Sequence, residues 1–242
     1  MVPLCAGLAA SCRIELIFAL SDWREVDPFG TSRAMQLFVG LSSHRGNIKR
    51  FGFDILELSV SPSLPKRKTM VDMRATRPDI RFSLRLSPDV VAKGPEHPDI
   101  ERAVVAAEAL QADVIVIPSG PRFTPTAHHR ALLKSTCDAL RGETRKVAWE
   151  PRGVWAPEEA EEWAQEVEAL LVRDLTREQS PGTETVYTRL LPFGFGARVS
   201  QNSIETLAGQ LESAETAYVV VQGEGAKMTR TQLREWFELE DE

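Results

Sequence analysis

The run VAWEPRGVW, from Val147 to Trp155, sets a carboxylate and a guanidinium two residues apart where an apolar segment stops. Side chains alternate across a strand, so Glu150 and Arg152 share one face while Val147 and Trp149 take the other. A carboxylate can accept a proton, and a guanidinium can grip a carboxylate or phosphate through two parallel hydrogen bonds. At the carboxyl end of a strand, such a pair is suited to a site at the mouth of a parallel barrel.

The same parity recurs elsewhere. Leu56 and Leu58 oppose Glu57 and Ser59; Phe82, Leu84 and Leu86 oppose Ser83 and Arg85; Tyr187 and Arg189 share a face. If helices cover the apolar faces, Glu57, Arg85, Glu150, Arg152 and Arg189 converge inside the barrel near its mouth, joined by Asp174 and Gln222. Charges gathered in a low-dielectric interior must be paired. Three arginines facing partly committed carboxylates leave a positive spot for an anionic ligand, a phosphate or a carboxylate. The expected ligand contacts are Arg85, Arg152, Asp174, Arg189, Gln222 and Tyr187, with Glu57 or Glu150 as candidate general base, its acidity tuned by burial beside arginine. The alternative is a closed ion-pair layer that fills the barrel and binds nothing.

Parallel strands joined by helices are the elements that must carry this cluster. Apolar runs mark strands at 36–41, 54–59, 80–86, 114–118, 146–150, 170–174, 185–191 and 217–222. Eight is the number that closes a parallel barrel. Helical spacing appears at 64–76, 99–110, 126–140, 157–168, 203–213 and 229–238. The stretch 157–168 is the clearest, with Pro157 in the first turn and four glutamates at the positive end of the helix dipole. The fold class expected is α/β, a single TIM-like (β/α)8 barrel with some short or missing crossover helices. Only 47–51 is available for a helix after the first strand, and 174–185 holds a Ser180-Pro181-Gly182 turn and little else. An open doubly wound sheet is less well supported, because Gly40 to Gly46 carries neither a dinucleotide nor a Walker fingerprint.

Composition narrows the function classes. With 29 basic and 35 acidic residues the formal charge is −6, which disfavours general nucleic-acid binding. Cys5, Cys12 and Cys137 form no CxxC pair, a usage that favours a reducing cytoplasm over a disulfide scaffold or zinc knuckle. No basic start precedes the mildly apolar stretch from Val2, and no run is long enough to span a membrane. Residues 1–34 read either as a poorly packed N-terminal extension or as a stretch ahead of a natural start at Met35, with the domain at 35–242 in both cases. Glu57, Glu150, Asp174 and His44 could be metal donors, but three neighbouring arginines would repel a dication, so neither metal nor cofactor is assigned. Cys137 sits among leucines as a core thiol, and no GxSxG elbow is present. Ser119-Gly120 could cradle an anion or simply turn the chain.

Blocks in fixed order resemble a known group. FGFDILELSVSPSLP, PDIRFSLRLSPDV, VIVIPSGPRF, VAWEPRGVW, VYTRLL and YVVVQGEG are similar to successive blocks of the domain of unknown function 72 (DUF72), or YecE-like, family. The resemblance runs from Gln36 to Phe237 and implies a TIM-barrel fold without an established activity. The chain departs from that pattern at Ser59-Val60-Ser61-Pro62, at Gly153 and Leu191 where histidines are frequent, and at Gln222-Gly223 in place of an asparagine pair.

Three functions follow. The leading one is a cytoplasmic barrel that binds a small anionic molecule at its mouth, as a hydrolase, lyase or isomerase if it is an enzyme. The second is a non-catalytic binding or scaffold protein with a closed interior. The third, by fold analogy alone, is a metal-assisted phosphoesterase acting on nucleic acid.

Overall fold

The computed structural model describes residues 35–44, 46–62, 64–191 and 199–239. The expected extension, 1–34, lies outside them. The strands are β1 (Gln36–Leu41), β2 (Ile55–Ser59), β3 (Arg81–Arg85), β4 (Val114–Pro118), β5 (Lys146–Glu150), β6 (Leu170–Leu171), β7 (Thr185–Leu190) and β8 (Thr216–Val221). The helices are α1 (Arg67–Thr76), α2 (Val90–Lys93), α3 (Pro98–Leu110), α4 (Ala127–Leu140), α5 (Pro157–Glu166), α6 (Gln201–Leu211) and α7 (Ala226–Trp236). Every strand pairing is parallel, in the order β6-β5-β4-β3-β2-β1-β8-β7. One parallel bridge, Arg173 to Thr188, joins the two ends of that order into a nearly closed barrel. No helix among the described residues is long and apolar enough to cross a membrane.

Local chemistry explains most boundaries. Thr126 and Ser200 cap α4 and α6 by accepting the amide protons of His129 and Ser203, and Pro157 opens α5 where no amide donor is needed. β1 and β2 approach so closely that a Cβ on Gly40 would stand 1.7 Å from the carbonyl oxygen of Ile55. Glycine is therefore required there by contact, not by nucleotide binding.

The two weak crossovers are as expected from sequence. β1 reaches β2 through one 3-10 turn, Ile48–Arg50, capped by Asn47, and no helix intervenes between β6 and β7 among the described residues. Two elements differ. α2 is too short for helical periodicity to register, yet it buries Val90 and Val91. β6 was expected over 170–174 but stops at Leu171. Beyond it the Thr188 hydroxyl takes over, donating to the carbonyl of Arg173 at 2.8 Å and accepting from the amide of Leu175 at 3.3 Å. The chain then turns as Asp174 accepts the amides of Arg177 and Glu178.

Parity sorts the core into two layers. Outward residues such as Leu56, Phe82, Ile115, Ile117 and Trp149 pack under the helices. Inward residues Ile55, Val114, Val116, Ala148, Val172, Tyr187, Tyr218 and Val220 fill the barrel. At the amino end of the strands, Phe38 stacks on Tyr218 with centroids 5.4 Å apart, and the Arg81 guanidinium lies 4.9 Å over the Phe38 ring while binding Asp113 at 3.1 Å.

Candidate functional site

At the carboxyl ends of the strands, apolar filling gives way to a connected polar network. Its innermost member is Ser83 on β3, 2.9 Å from the Tyr187 hydroxyl. Tyr187 donates to Glu57 Oε2 at 3.0 Å, so Ser83 donates in turn to Tyr187. Arg189 grips Glu57 with a two-pronged fork, Nε to Oε2 at 3.2 Å and Nη2 to Oε1 at 3.0 Å. Its third nitrogen, Nη1, reaches Glu150 Oε2 at 3.2 Å. One guanidinium thus ties the second strand to the fifth through the seventh.

Glu150 is the hub. Its Oε2 also takes Arg85 Nε and Nη2 at 3.2 and 2.8 Å, and its Oε1 takes Arg152 Nε and Nη2 at 3.2 and 2.7 Å. Three arginines therefore converge on one carboxylate. Burial pushes the Glu150 carboxyl up, but the charges of Arg189 and Arg85 and the hydrogen bonds from Arg152 and Arg85 outweigh it and hold the group below its ordinary range. Tyr187 is pushed well up, first by burial and then by the Glu57 charge, so its hydroxyl stays protonated.

Exposure separates an inner from an outer part. Glu57 and Tyr187 are sealed, whereas the Arg152 side chain is 44% exposed at the rim. Beside that rim lies a cleft of about 170 Å³ lined by Glu150 of β5, Arg189 of β7 and residues that follow β5, β6 and β7, including Arg152, Asp174, Glu178 and Leu191.

The chain after β5 is held to present Arg152. The buried Ser119 hydroxyl accepts the Trp149 indole N–H and the Arg152 amide, both at 3.3 Å, and donates to the Glu150 carbonyl at 3.4 Å. Ser119 is thus spent as a clamp on β5. Gly153, where histidine is frequent in the blocks this chain resembles, has φ +101°, and a Cβ there would stand 2.7 Å from the Pro121 carbonyl oxygen. Trp149 and Trp155 pack edge to face at 4.8 Å on the outer side of the strand, with the Trp155 indole donating to the Phe123 carbonyl.

Glu57, Arg85, Glu150, Arg152, Tyr187 and Arg189 are brought together as the parity predicts. Asp174 lines the cleft but stays outside the arginine network: its Oδ1 accepts from the amide and hydroxyl of Thr176, and its Oδ2 accepts the Leu191 amide at 3.3 Å. Gln222 does not join. β8 ends at Val221, and Gln222 stands exposed before the turn at Gly223, φ +96°, with no side-chain hydrogen bond among the described residues. Ser83 and Ser119 were visible in sequence as a strand parity and a turn, without their partners. Arg173 carried no signal. It is buried on the outward face, where its guanidinium donates to the carbonyls of Pro157 and Gln179 and faces Glu161. No group of three or more His, Cys, Asp or Glu among the described residues is placed to hold a metal ion. Cys137 is buried in apolar surroundings that push its thiol up to about 12.

No protein-family model matches the chain, and no curated protein matches its sequence. Its similarities are structural. A DUF72 family protein from Enterococcus faecalis V583 superposes with a TM-score of 0.68 at 12% identity, over 86% of this chain and 97% of that one. A second, from Thermotoga maritima MSB8, gives 0.63 at 16% identity, over 84% and 99%. This chain has the fold of DUF72 proteins. The DUF72 likeness agrees with the block order read from the sequence, and it covers nearly the whole of both neighbours. An L-ribulose 3-epimerase superposes less closely, at 0.54 and 11% identity over 86% and 88%, consistent with a shared TIM-barrel architecture.

Proposed function

We propose that this TIM-barrel protein binds a small molecule through a carboxylate or phosphate group at the carboxyl-end mouth, with Arg152 as the gripping residue and Arg85 and Arg189 behind it. The observation that carries this reading is the convergence of three guanidiniums on Glu150 beside an open cleft. Two carboxylates, Glu57 and Glu150, face three arginines, so the network holds one unbalanced positive charge. Among the described residues the guanidinium of its most exposed member, Arg152, is hydrogen-bonded to Glu150 Oε1 alone, and a planar fork at a rim suits an incoming carboxylate or phosphate. The partner is a small molecule and not nucleic acid, because the chain as a whole carries −6.

The sealed half of the network, from Ser83 to Arg189, fits the closed ion-pair layer; the outer half, from Glu150 to Arg152, fits binding. A carboxylate held ionised by three guanidiniums is a weak proton acceptor, so Glu150 acts here as an electrostatic anchor. The experiment is thermal denaturation with phosphate and with small carboxylates. A ligand at 100 times its dissociation constant adds about 2.7 kcal/mol, and Arg152→Ala should remove that gain. Stabilisation that survives Arg152→Ala, or no stabilisation by any of these anions, overturns the reading.

A further inference from the structure

The cleft beside Arg152 has a second wall of opposite sign. Asp174 and Glu178 line the cleft too, on the turn that replaces the end of β6, between Arg152 after β5 and Arg189 on β7. Neither belongs to the arginine network. Asp174 Oδ2 accepts the Leu191 amide at 3.3 Å and lies 3.8 Å from Arg177, while Glu178 is exposed and its Oε1 accepts the Asp174 amide at 3.3 Å. Thr176 also donates twice to Asp174 Oδ1, so of the about four acceptor positions an ionised carboxylate offers, those still open lie mainly on Glu178. Arg173 also lines the cleft but does not neutralise the wall, because its guanidinium is spent on Pro157, Gln179 and Glu161. Val172, Pro151 and Leu191 add apolar surface to the cleft.

Resting on the anion-binding reading above, we infer that the ligand is a small α-amino acid, its carboxylate on Arg152 and its ammonium toward Asp174 and Glu178. A purely anionic ligand would gain at one wall and be repelled at the other. A zwitterion gains at both, and a short side chain meets the apolar surface. The cleft, about 170 Å³, is small, and alanine or serine are ligands of matching scale.

Calorimetric titration of the full chain with alanine, serine, lactate, propionate, ethylamine and inorganic phosphate tests this. Alanine or serine should bind at least about tenfold more tightly than lactate or propionate, with ethylamine weakest, a difference worth about 1.4 kcal/mol. Glu178→Gln and Asp174→Asn should each reduce that preference, by weakening alanine and serine binding and by tightening propionate binding as the repulsion is relieved. Glu178 is exposed, so its variant remains informative if loss of Asp174 disturbs the turn. Propionate, lactate or phosphate binding as tightly as alanine overturns the amino-acid inference and leaves the anion site standing. Failure of every carboxylate and of phosphate overturns both.

Discussion

The two ends of the barrel interior both place arginine against a carboxylate, and they do so to different effect. At the amino end, Arg81 meets Asp113 one to one and lies over the stacked pair of Phe38 and Tyr218, a neutral plug with an aromatic floor. At the carboxyl end, three arginines share two glutamates with no aromatic face over them. The first arrangement is a one-to-one pair, with the buried Asp113 Oδ2 left without a hydrogen bond among the described residues. The second has more arginines than glutamates, and it opens on a cleft that Asp174 and Glu178 also line. Counting arginines does not locate a site; stoichiometry and exposure together do.

Removing a carboxylate from each end should break the comparison most visibly. Glu57→Gln strands the buried Arg189 charge with half its partners and should cost about 3–5 kcal/mol in urea denaturation. Asp113→Asn faces an Arg81 side chain that is 43% exposed, where water can take over, and should cost no more than about 1 kcal/mol. Equal costs at the two ends would undo the distinction drawn here.

Gly153→Ala comes next. Its φ of +101° and the Pro121 carbonyl 2.7 Å from the new Cβ should cost about 1–3 kcal/mol and shift Arg152 out of register with Glu150. Weaker anion binding with apo stability reduced by that amount is the expected result; unaltered binding would show that this turn does not aim Arg152.

Acid should separate the ends by sign, with the smallest effect. Glu150 has a folded-state pKa below its ordinary value of 4.5, so its stability contribution is complete above that value and is lost as pH falls through the folded one. Asp113 is the reverse. Burial outweighs the attraction of Arg81 and raises it from 3.8, and its Oδ2 has no hydrogen-bond partner among the described residues. Its contribution is complete below 3.8 and is lost as pH rises through the folded value. Stability measured from neutral to acid pH should therefore fall less steeply in Glu150→Gln than in the parent, and more steeply in Asp113→Asn.

The sequence carried the fold through parity and spacing: all eight strands, both crossovers without an α-helix, and the face on which Glu57, Arg85, Glu150 and Arg189 lie. It could not carry the sharing of partners. Arg189 and Glu57 are 132 positions apart, and whether one guanidinium spans two glutamates depends on how far the closed barrel brings β2, β5 and β7 together. Gln222 shows the limit of parity: it lies on the inward phase of β8, one residue after the ladder has ended. Thr188 shows another, since a hydroxyl substituting for a backbone ladder has no pattern in sequence.

The chain after β6 meets β7 at a joint held by one bridge, with the Arg189 amide donating to the Arg173 carbonyl, and by the Thr188 hydroxyl, whereas β7 and β8 pair over six residues. The cleft straddles that joint, with Arg152 on one bank, Asp174 between and Leu191 on the other. A molecule lodged there acts as a clasp across the seam. If the proposed ligand binds there, occupancy and cohesion of the cylinder are one quantity.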